Sequence, residues 1–182
     1  EMYSRKTNPQ PVLKPQDLLI VLKLCVWPKD RKVTYDLLAG KLGMTKSEVQ
    51  AGVRRAVASR LLRMVDGRPV PLLEAVREFV ESGAPYAFPA MRGEVSRGVP
   101  TSVGAAPLKG AFNVGNEPPP VWPSADGTAR GPSISPIYPS VPHAAVHDSK
   151  LYELLALFDA LRDGRARERQ VARKLLGERL TG

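Results

Sequence analysis

A segment in the first third of the chain combines a regular apolar pattern with basic and polar side chains. Val49, Val53, Ala56 and Val57 recur at helical spacing and predict the buried face of a helix over residues 45–61. The opposite side of this helix holds amide, hydroxyl and cationic groups, which hydrogen-bond to base edges and phosphates in protein–DNA complexes. These outward side chains are Lys46, Ser47, Gln50, Arg54 and Arg55.

Thr45 and Glu48 predict where this helix begins. A threonine followed three residues later by a glutamate is the pattern of a capping box. In that motif the hydroxyl accepts from a free amide near the helix start, and the carboxylate accepts from the threonine amide. We therefore assign Glu48 to the cap and expect Thr45 at the end of the helix that would meet DNA.

Elements on both sides of this helix extend the pattern. Residues 34–42 predict a shorter helix before it, with an apolar face from Tyr35, Leu37, Leu38 and Leu42, and with breaks at Gly40 and Gly43. After the helix over residues 45–61, residues 63–70 predict a β-hairpin, because alternating residues flank Asp66-Gly67, a favoured two-residue turn. Arg63 and Arg68 would lie on or beside the hairpin, within reach of phosphates or the minor groove.

Residues 14–70 resemble the winged-helix domain of MarR-type bacterial transcriptional regulators. The resemblance rests on Pro15-Gln16-Asp17-Leu18-Leu19 at the first helix and on Leu42-Gly43-Met44-Thr45-Lys46-Ser47-Glu48-Val49 at the turn. It implies a dimeric, operator-binding repressor or activator, with helix 45–61 in the major groove and residues 63–70 as the wing. Members of that family dimerise through long flanking helices, whereas here a Pro/Gly-rich segment follows.

The DNA-binding hypothesis gives each candidate residue a role. Lys46, Ser47, Gln50 and Arg54 would read bases or neighbouring phosphates, whereas Arg55, Arg63 and Arg68 would anchor the DNA backbone. The complete set of candidate DNA-binding residues is Thr45, Lys46, Ser47, Gln50, Arg54, Arg55, Arg63 and Arg68.

The charge of the chain favours a polyanionic partner. Its 27 Lys and Arg residues exceed its 18 Asp and Glu residues, giving a net charge of +9. The excess belongs to residues 1–84 and 149–182, because residues 85–148 carry equal numbers of both signs. A basic surface of this kind attracts nucleic acid.

The remaining chain divides into three parts. In residues 1–84, we expect an extended arm over residues 1–13 with Arg5 and Lys6, a helix from Pro15 to about Trp27, and a helix from Leu72 to Ser82 that Gly83 ends.

Residues 85–148 contain 12 prolines and 7 glycines, a composition typical of disorder. Because this segment also holds aromatic residues such as Trp122 and Tyr138, we expect an ordered, irregular arm lying across its own domain or a dimer mate.

Residues 149–182 predict a C-terminal α-hairpin with a break at Asp163-Gly164. Leu151, Leu154, Leu155, Leu157, Phe158 and Leu161 make the first helix strongly apolar, and such a face must be buried. We expect dimerisation to bury it in preference to packing within the chain. The expected fold class is therefore mainly α: a winged helix, an irregular Pro-rich segment and a helical hairpin.

Other kinds of site have little support in the sequence. Cys25, the single cysteine, lies in the apolar run of the first helix and is expected to be a buried packing residue in a reducing cytosol. His143 and His147 have a spacing compatible with a metal, but no third ligand is evident. The sequence predicts no enzyme activity, no cofactor, no metal site and no membrane span, and it favours a cytoplasmic location.

Two functions of different kinds follow. The first is a sequence-specific, dimeric DNA-binding transcriptional regulator, expected to be a repressor. The alternative is a protein-interaction module, such as an antitoxin or a defence-system regulator, that binds a partner protein through residues 85–182. Ligand sensing by a cleft under the Pro-rich arm is a weaker option, because no polar cluster converges there.

Overall fold

A buried helix, α1 (Pro15–Cys25), connects the two halves of the molecule in a computed structural model that describes residues 10–113 and 115–181. Every side chain from Asp17 to Leu24 is buried, as expected for a helix that is largely apolar all round. α1 packs against α3 (Lys46–Ala58) and also against α7 (Ser149–Asp163). Most of the predicted N-terminal arm, including Arg5 and Lys6, lies outside the described residues.

The predicted pair of helices and the tight turn between them are confirmed. In α2 (Tyr35–Leu42), the Thr34 side chain accepts from the Leu37 amide at 3.2 Å, and Gly43 ends the helix with a φ of 61°. The predicted break at Gly40 is wrong, because this residue lies inside α2 with open space around it. α3 ends at Ala58, which is earlier than the sequence predicted.

The predicted hairpin is also confirmed. Strands β1 (Leu62–Val65) and β2 (Arg68–Pro71) pair antiparallel, with Val65 opposite Arg68. Asp66 and Gly67 both have positive φ angles, 48° and 73°, which are typical of a type I′ turn. Leu62, the first residue of β1, is buried, so the hairpin is anchored in the core at its base.

The helix predicted over residues 72–82 continues further than expected. α4 (Leu73–Glu78) runs into a π-helical turn (Phe79–Gly83) and then into α5 (Ala84–Ala87). The predicted end at Ser82-Gly83 is therefore wrong. Pro85 is tolerated in the first turn of α5, because the backbone amides at that position of a helix do not donate to a preceding turn.

A small sheet occupies the segment that was expected to be irregular. Strand β3 (Arg92–Pro100) pairs antiparallel with β4 (Val121–Pro123) and β5 (Ala129–Ile134), and β4 meets β5 in parallel at one pair, Val121 opposite Ser133. The fold is therefore mixed α/β, which corrects the expected mainly α class. Close backbone packing explains the glycine content, since a Cβ added at Gly98 would lie 2.0 Å from the Trp122 carbonyl oxygen.

The C-terminal hairpin is confirmed in its two helices and its break. After the short α6 (Val141–Val146), α7 ends at Gly164 and α8 (Ala166–Leu180) packs back against it. The apolar side chains of α7 are buried within this chain, against α1, α8 and the turn after β3. Their burial therefore needs no second copy, and dimerisation stays a prediction.

A polar cluster fastens the sheet to α7. Asp159 is 1% exposed and accepts from Thr101 Oγ1 at 2.7 Å, Trp122 Nε1 at 2.6 Å and Arg162 Nε at 2.8 Å. Arg162 also donates to the carbonyl oxygen of Ser135 at 2.8 Å. Buried charges of this kind are tolerated when they are paired and hydrogen-bonded.

Across the described ranges, every helix is too short or too polar to traverse a bilayer.

Candidate nucleic-acid interface

The N-terminus of α3 is fixed by the capping box that the sequence predicted. Glu48 Oε2 accepts from the Thr45 amide at 2.7 Å and from the Thr45 hydroxyl at 2.8 Å, while Thr45 Oγ1 accepts from the Glu48 amide at 3.2 Å. These hydrogen bonds, that from the Thr45 amide above all, lower the pKa of Glu48 below its usual value. Thr45 therefore positions the helix, and its hydroxyl is already engaged within the protein.

Three of the predicted base-reading side chains are exposed together on the outer side of α3. Ser47, Gln50 and Arg54 are exposed, whereas Val49 and Val53 on the opposite side are buried. Helical spacing places Ser47 and Arg54 on the same face, because residues seven apart complete about two turns. This face presents a hydroxyl, an amide and a guanidinium to solvent.

Lys46 stands at the first turn of α3 and forms an exposed ion pair. Its Nζ atom is 2.8 Å from Asp36 Oδ2 at the start of α2, and both side chains are more than half exposed. Exposed pairs of this kind contribute roughly 0–1 kcal/mol. Lys46 can therefore exchange Asp36 for a phosphate at small cost.

Arg55 is turned toward the protein, whereas the sequence predicted that it faces outward. Its Nε and Nη2 atoms donate to the two carboxylate oxygens of Asp17, both at 2.7 Å, and Asp17 is fully buried in α1. The hydrogen bonds to Asp17 raise the pKa of Arg55 above its usual value. Arg55 is thus turned toward α1 and locks the orientation of α3 instead of facing outward as a phosphate anchor.

The hairpin presents two arginines beside α3. Arg63 and Arg68 are exposed, and the pairing of Arg63 with Val70 and of Val65 with Arg68 puts both on one face of the hairpin. The hairpin turn lies close to the start of α3, since Lys46, Gly67 and Pro69 line one small cavity of about 250 Å³. Lys46 and the hairpin therefore belong to one continuous surface.

The Pro-rich segment contacts this unit from the side, as expected of an arm that lies across its own domain, although the residues in contact were not predicted. The Tyr138 hydroxyl donates to Glu48 Oε1 at 3.0 Å, and Ser140 Oγ donates to the carbonyl oxygen of Leu42. Desolvation and the bond to Glu48 raise the pKa of Tyr138. No local pattern marks this contact, because its partners are about 90 residues apart in the chain.

The two histidines lie together but without further ligands. The ring centroids of His143 and His147 are 4.5 Å apart, and His147 Nδ1 lies 2.8 Å from the carbonyl oxygen of His143. Within the described ranges, no group of three His, Cys, Asp or Glu side chains is arranged to hold a metal.

Comparisons with protein-family models, with curated proteins and with solved structures found no match to this chain.

Proposed function

We propose that the protein is a sequence-specific DNA-binding transcriptional regulator and that residues 14–70 form a winged-helix domain of the MarR type. In this assignment α3 enters the major groove, and the hairpin β1–β2 is the wing that contacts the phosphate backbone or the minor groove. The protein acts as a dimeric repressor whose two copies bind two half-sites of an operator.

The observation that carries the proposal is the exposed outer face of α3 beside a cationic hairpin. Ser47, Gln50 and Arg54 contribute donors and acceptors able to reach base edges. Neither Tyr138 nor Ser140, which brace the turn from the Pro-rich segment, bonds to this face. Within the described residues, the exposure of Ser47, Gln50 and Arg54 leaves this face of α3 open to an approaching duplex.

Each candidate residue has a distinct role in the proposed complex. Gln50 and Arg54 read bases, and Ser47 and Lys46 contact bases or adjacent phosphates at the start of the helix. Arg63 and Arg68 neutralise phosphates from the wing. Thr45 and Arg55 act as positioning residues, because the cap and the ion pair with Asp17 set the direction of α3.

The test begins with selection of bound duplexes from a random DNA library, followed by anisotropy titrations at several salt concentrations. Arg54→Ala should weaken operator binding by roughly 1–3 kcal/mol and relax the preference at one position. Arg68→Ala should weaken all duplexes similarly and lower the slope of log K against log salt by about one unit. Arg167→Ala, an exposed arginine on α8, is the matched control and should bind like the parent.

The proposal fails if selection enriches no sequence, or if Arg54→Ala and Arg68→Ala bind the selected duplex as the parent does. Light scattering in the presence and absence of the operator tests the dimer separately. A single copy on a palindromic operator would reject the dimeric arrangement and leave the DNA contacts in place.

A second function, binding of a partner protein through residues 85–182, is favoured by exposed apolar side chains. Tyr86, Met91 and Val95 are 85%, 64% and 56% exposed within ten residues of chain, and exposed apolar side chains in one region mark protein contacts more often than single ones do. Its test is co-purification from the native host with the parent and with the Tyr86→Ser/Met91→Ser/Val95→Ser variant. A partner that both proteins retain, or the absence of any partner, would reject this surface.

A further inference from the structure

A large cleft is lined by other residues, from the end of α1 and the loop that follows it, from α2, from the junction of α6 with α7, and from the end of α8. Its volume is about 960 Å³, which is at the upper end of the range for small-molecule sites, about 300–1,000 Å³. Six cationic side chains from these separate elements line it: Lys23, Lys29, Arg31, Lys41, Lys150 and Arg179.

The two carboxylates of the cleft are already paired. Asp148 forms an ion pair with Lys23, whose side chain is 8% exposed, and its other oxygen accepts from the Leu151 amide at 3.1 Å. Glu153 accepts from Arg179 Nε at 2.6 Å. Both acids are therefore used to hold the walls of the cleft together.

Four cations are left without a carboxylate partner in the part of the chain that the structure describes: Lys29, Arg31, Lys41 and Lys150. Asp30 belongs to the same loop as two of them but does not line the cleft. Like charges that converge on a concave surface repel one another and attract counter-ions strongly. This arrangement lowers the stability of the empty protein and favours a bound anion.

Trp27 makes the cationic wall rigid. Its indole Nε1 donates to the carbonyl oxygen of Arg31 at 3.1 Å, which fixes the loop that carries Lys29 and Arg31. Lys23 Nζ lies 5.4 Å from the centroid of the Trp27 ring, within the range of a cation–π contact. The bond from Trp27 to Arg31 orders the backbone of the loop that carries Lys29 and Arg31 before any ligand binds, which lowers the entropy cost of binding there.

We propose that this cleft binds a small molecule that carries two or more adjacent phosphate groups, such as a nucleoside triphosphate or an inorganic polyphosphate. Four unpaired cations on three segments can surround a compact anion from several sides, whereas a DNA duplex presents a convex row of phosphates. The ligand would bridge α2 to the start of α7 and thereby tie the N-terminal unit to the C-terminal hairpin. This site is separate from the proposed DNA surface and does not depend on it.

The experiment is calorimetric titration of the full chain with sodium tripolyphosphate, ATP and adenosine at near-physiological salt, and, in a separate titration, with a DNA duplex. Tripolyphosphate should bind with one molecule per chain and should raise the melting temperature. The double variant Lys29→Gln/Lys150→Gln should bind at least roughly tenfold more weakly, since each lost cation near the anion costs a few-fold in affinity. Arg167→Gln removes a distant exposed cation and should leave binding unchanged.

Two comparisons make the result decisive. Lys29→Arg/Lys150→Arg keeps the charge and should bind within about threefold of the parent, so a loss caused by misfolding is distinguished from a loss of charge. Tighter binding of ATP than of tripolyphosphate assigns the ligand to nucleotides, and equal binding assigns it to the phosphate chain alone.

The proposal is overturned if neither phosphate compound binds at millimolar concentration, or if Arg167→Gln weakens binding as much as the cleft variants do. It is also overturned if the cleft variants bind tripolyphosphate normally and lose affinity for a DNA duplex, because the cleft would then belong to the DNA contact surface.

Discussion

Arg54 and Arg55 are neighbours in sequence and have opposite surroundings. Arg54 is exposed on the outer face of α3, whereas Arg55 makes a two-point contact with the buried carboxylate of Asp17. The sequence indicated that both residues lie away from the apolar stripe, but it could not show that a carboxylate 38 residues earlier captures one of them. Whether a side chain at the border of a helix face points to solvent or into the protein depends on which residue packs beside it. The spacing of residues within the helix does not show this.

This difference gives a prediction about stability. Arg55→Ala should lower the free energy of unfolding by about 2–3 kcal/mol, because it leaves the buried Asp17 carboxylate unpaired. The loss stays below that for fully buried pairs, since the Arg55 side chain is 22% exposed and the Lys14 amide still donates to Asp17. Urea denaturation measures the change.

The control for this prediction is Arg54→Ala, which should change the free energy of unfolding by less than about 0.5 kcal/mol, as exposed substitutions usually do. Equal stability of the two variants would show that the contact between Arg55 and Asp17 contributes little.

Cys25 provides a prediction about pH. Burial near the end of α1 raises the pKa of its thiol from 9.0 to about 12. The folded state therefore keeps a proton that the unfolded state releases above pH 9.0, so this contribution to stability is complete below that pH and is lost as the pH rises toward 12.

The stability difference between the parent and Cys25→Ala should consequently fall by about 1.4 kcal/mol between pH 8 and pH 10. Chemical denaturation of both proteins at the two pH values measures it, and comparison with Cys25→Ala cancels the titration of other groups. A constant difference would mean that the thiol ionises as easily in the folded protein as in the unfolded chain.

At the scale of elements, the parts with strong local signals were predictable. The capping box of α3 and the Asp66-Gly67 turn depend on residues within four positions of one another, and both are confirmed. The sheet was missed because β3 does not alternate in burial and because its partners lie more than 20 residues away along the chain. Glycines that usually indicate disorder here permit close packing of backbones, as at Gly98 and Gly131.

The brace from the Pro-rich segment gives a prediction for α3. Tyr138→Phe removes the hydrogen bond to Glu48, so the Thr45 and Glu48 amides, which are bonded in the capping box, should exchange with deuterium roughly two- to fivefold faster. Tyr86→Phe is the control, because Tyr86 is 85% exposed and has no hydrogen bond through its hydroxyl in the described structure. Equal exchange in the two variants would show that the brace does not stabilise the helix start.

At the scale of the whole molecule, the three predicted parts share one hydrophobic core. That core extends from Leu18 in α1 through Leu62 and Trp122 to Leu180 in α8. The described structure therefore gives no reason to expect the parts to fold independently, although the sequence indicated three segments by composition.

The shared core predicts a single cooperative unfolding transition. Fluorescence reports on Trp27 at the end of α1 and on Trp122 in the sheet, and circular dichroism reports on the helices, so the curves from both probes should coincide in urea. Two separate transitions would contradict this expectation. A fragment ending at residue 84 should then be poorly folded, because α1 and α4 would lose the helices that cover them.

Along α3, side chains bonded within the protein alternate with exposed ones, and this pattern affects how the helix can acquire new target sequences. Glu48 and Arg55 are committed to structural contacts, whereas Ser47, Gln50 and Arg54 have exposed positions. Random libraries at those three exposed positions should therefore yield mostly foldable variants, in which new preferences for target sequences can be selected without repairing the scaffold.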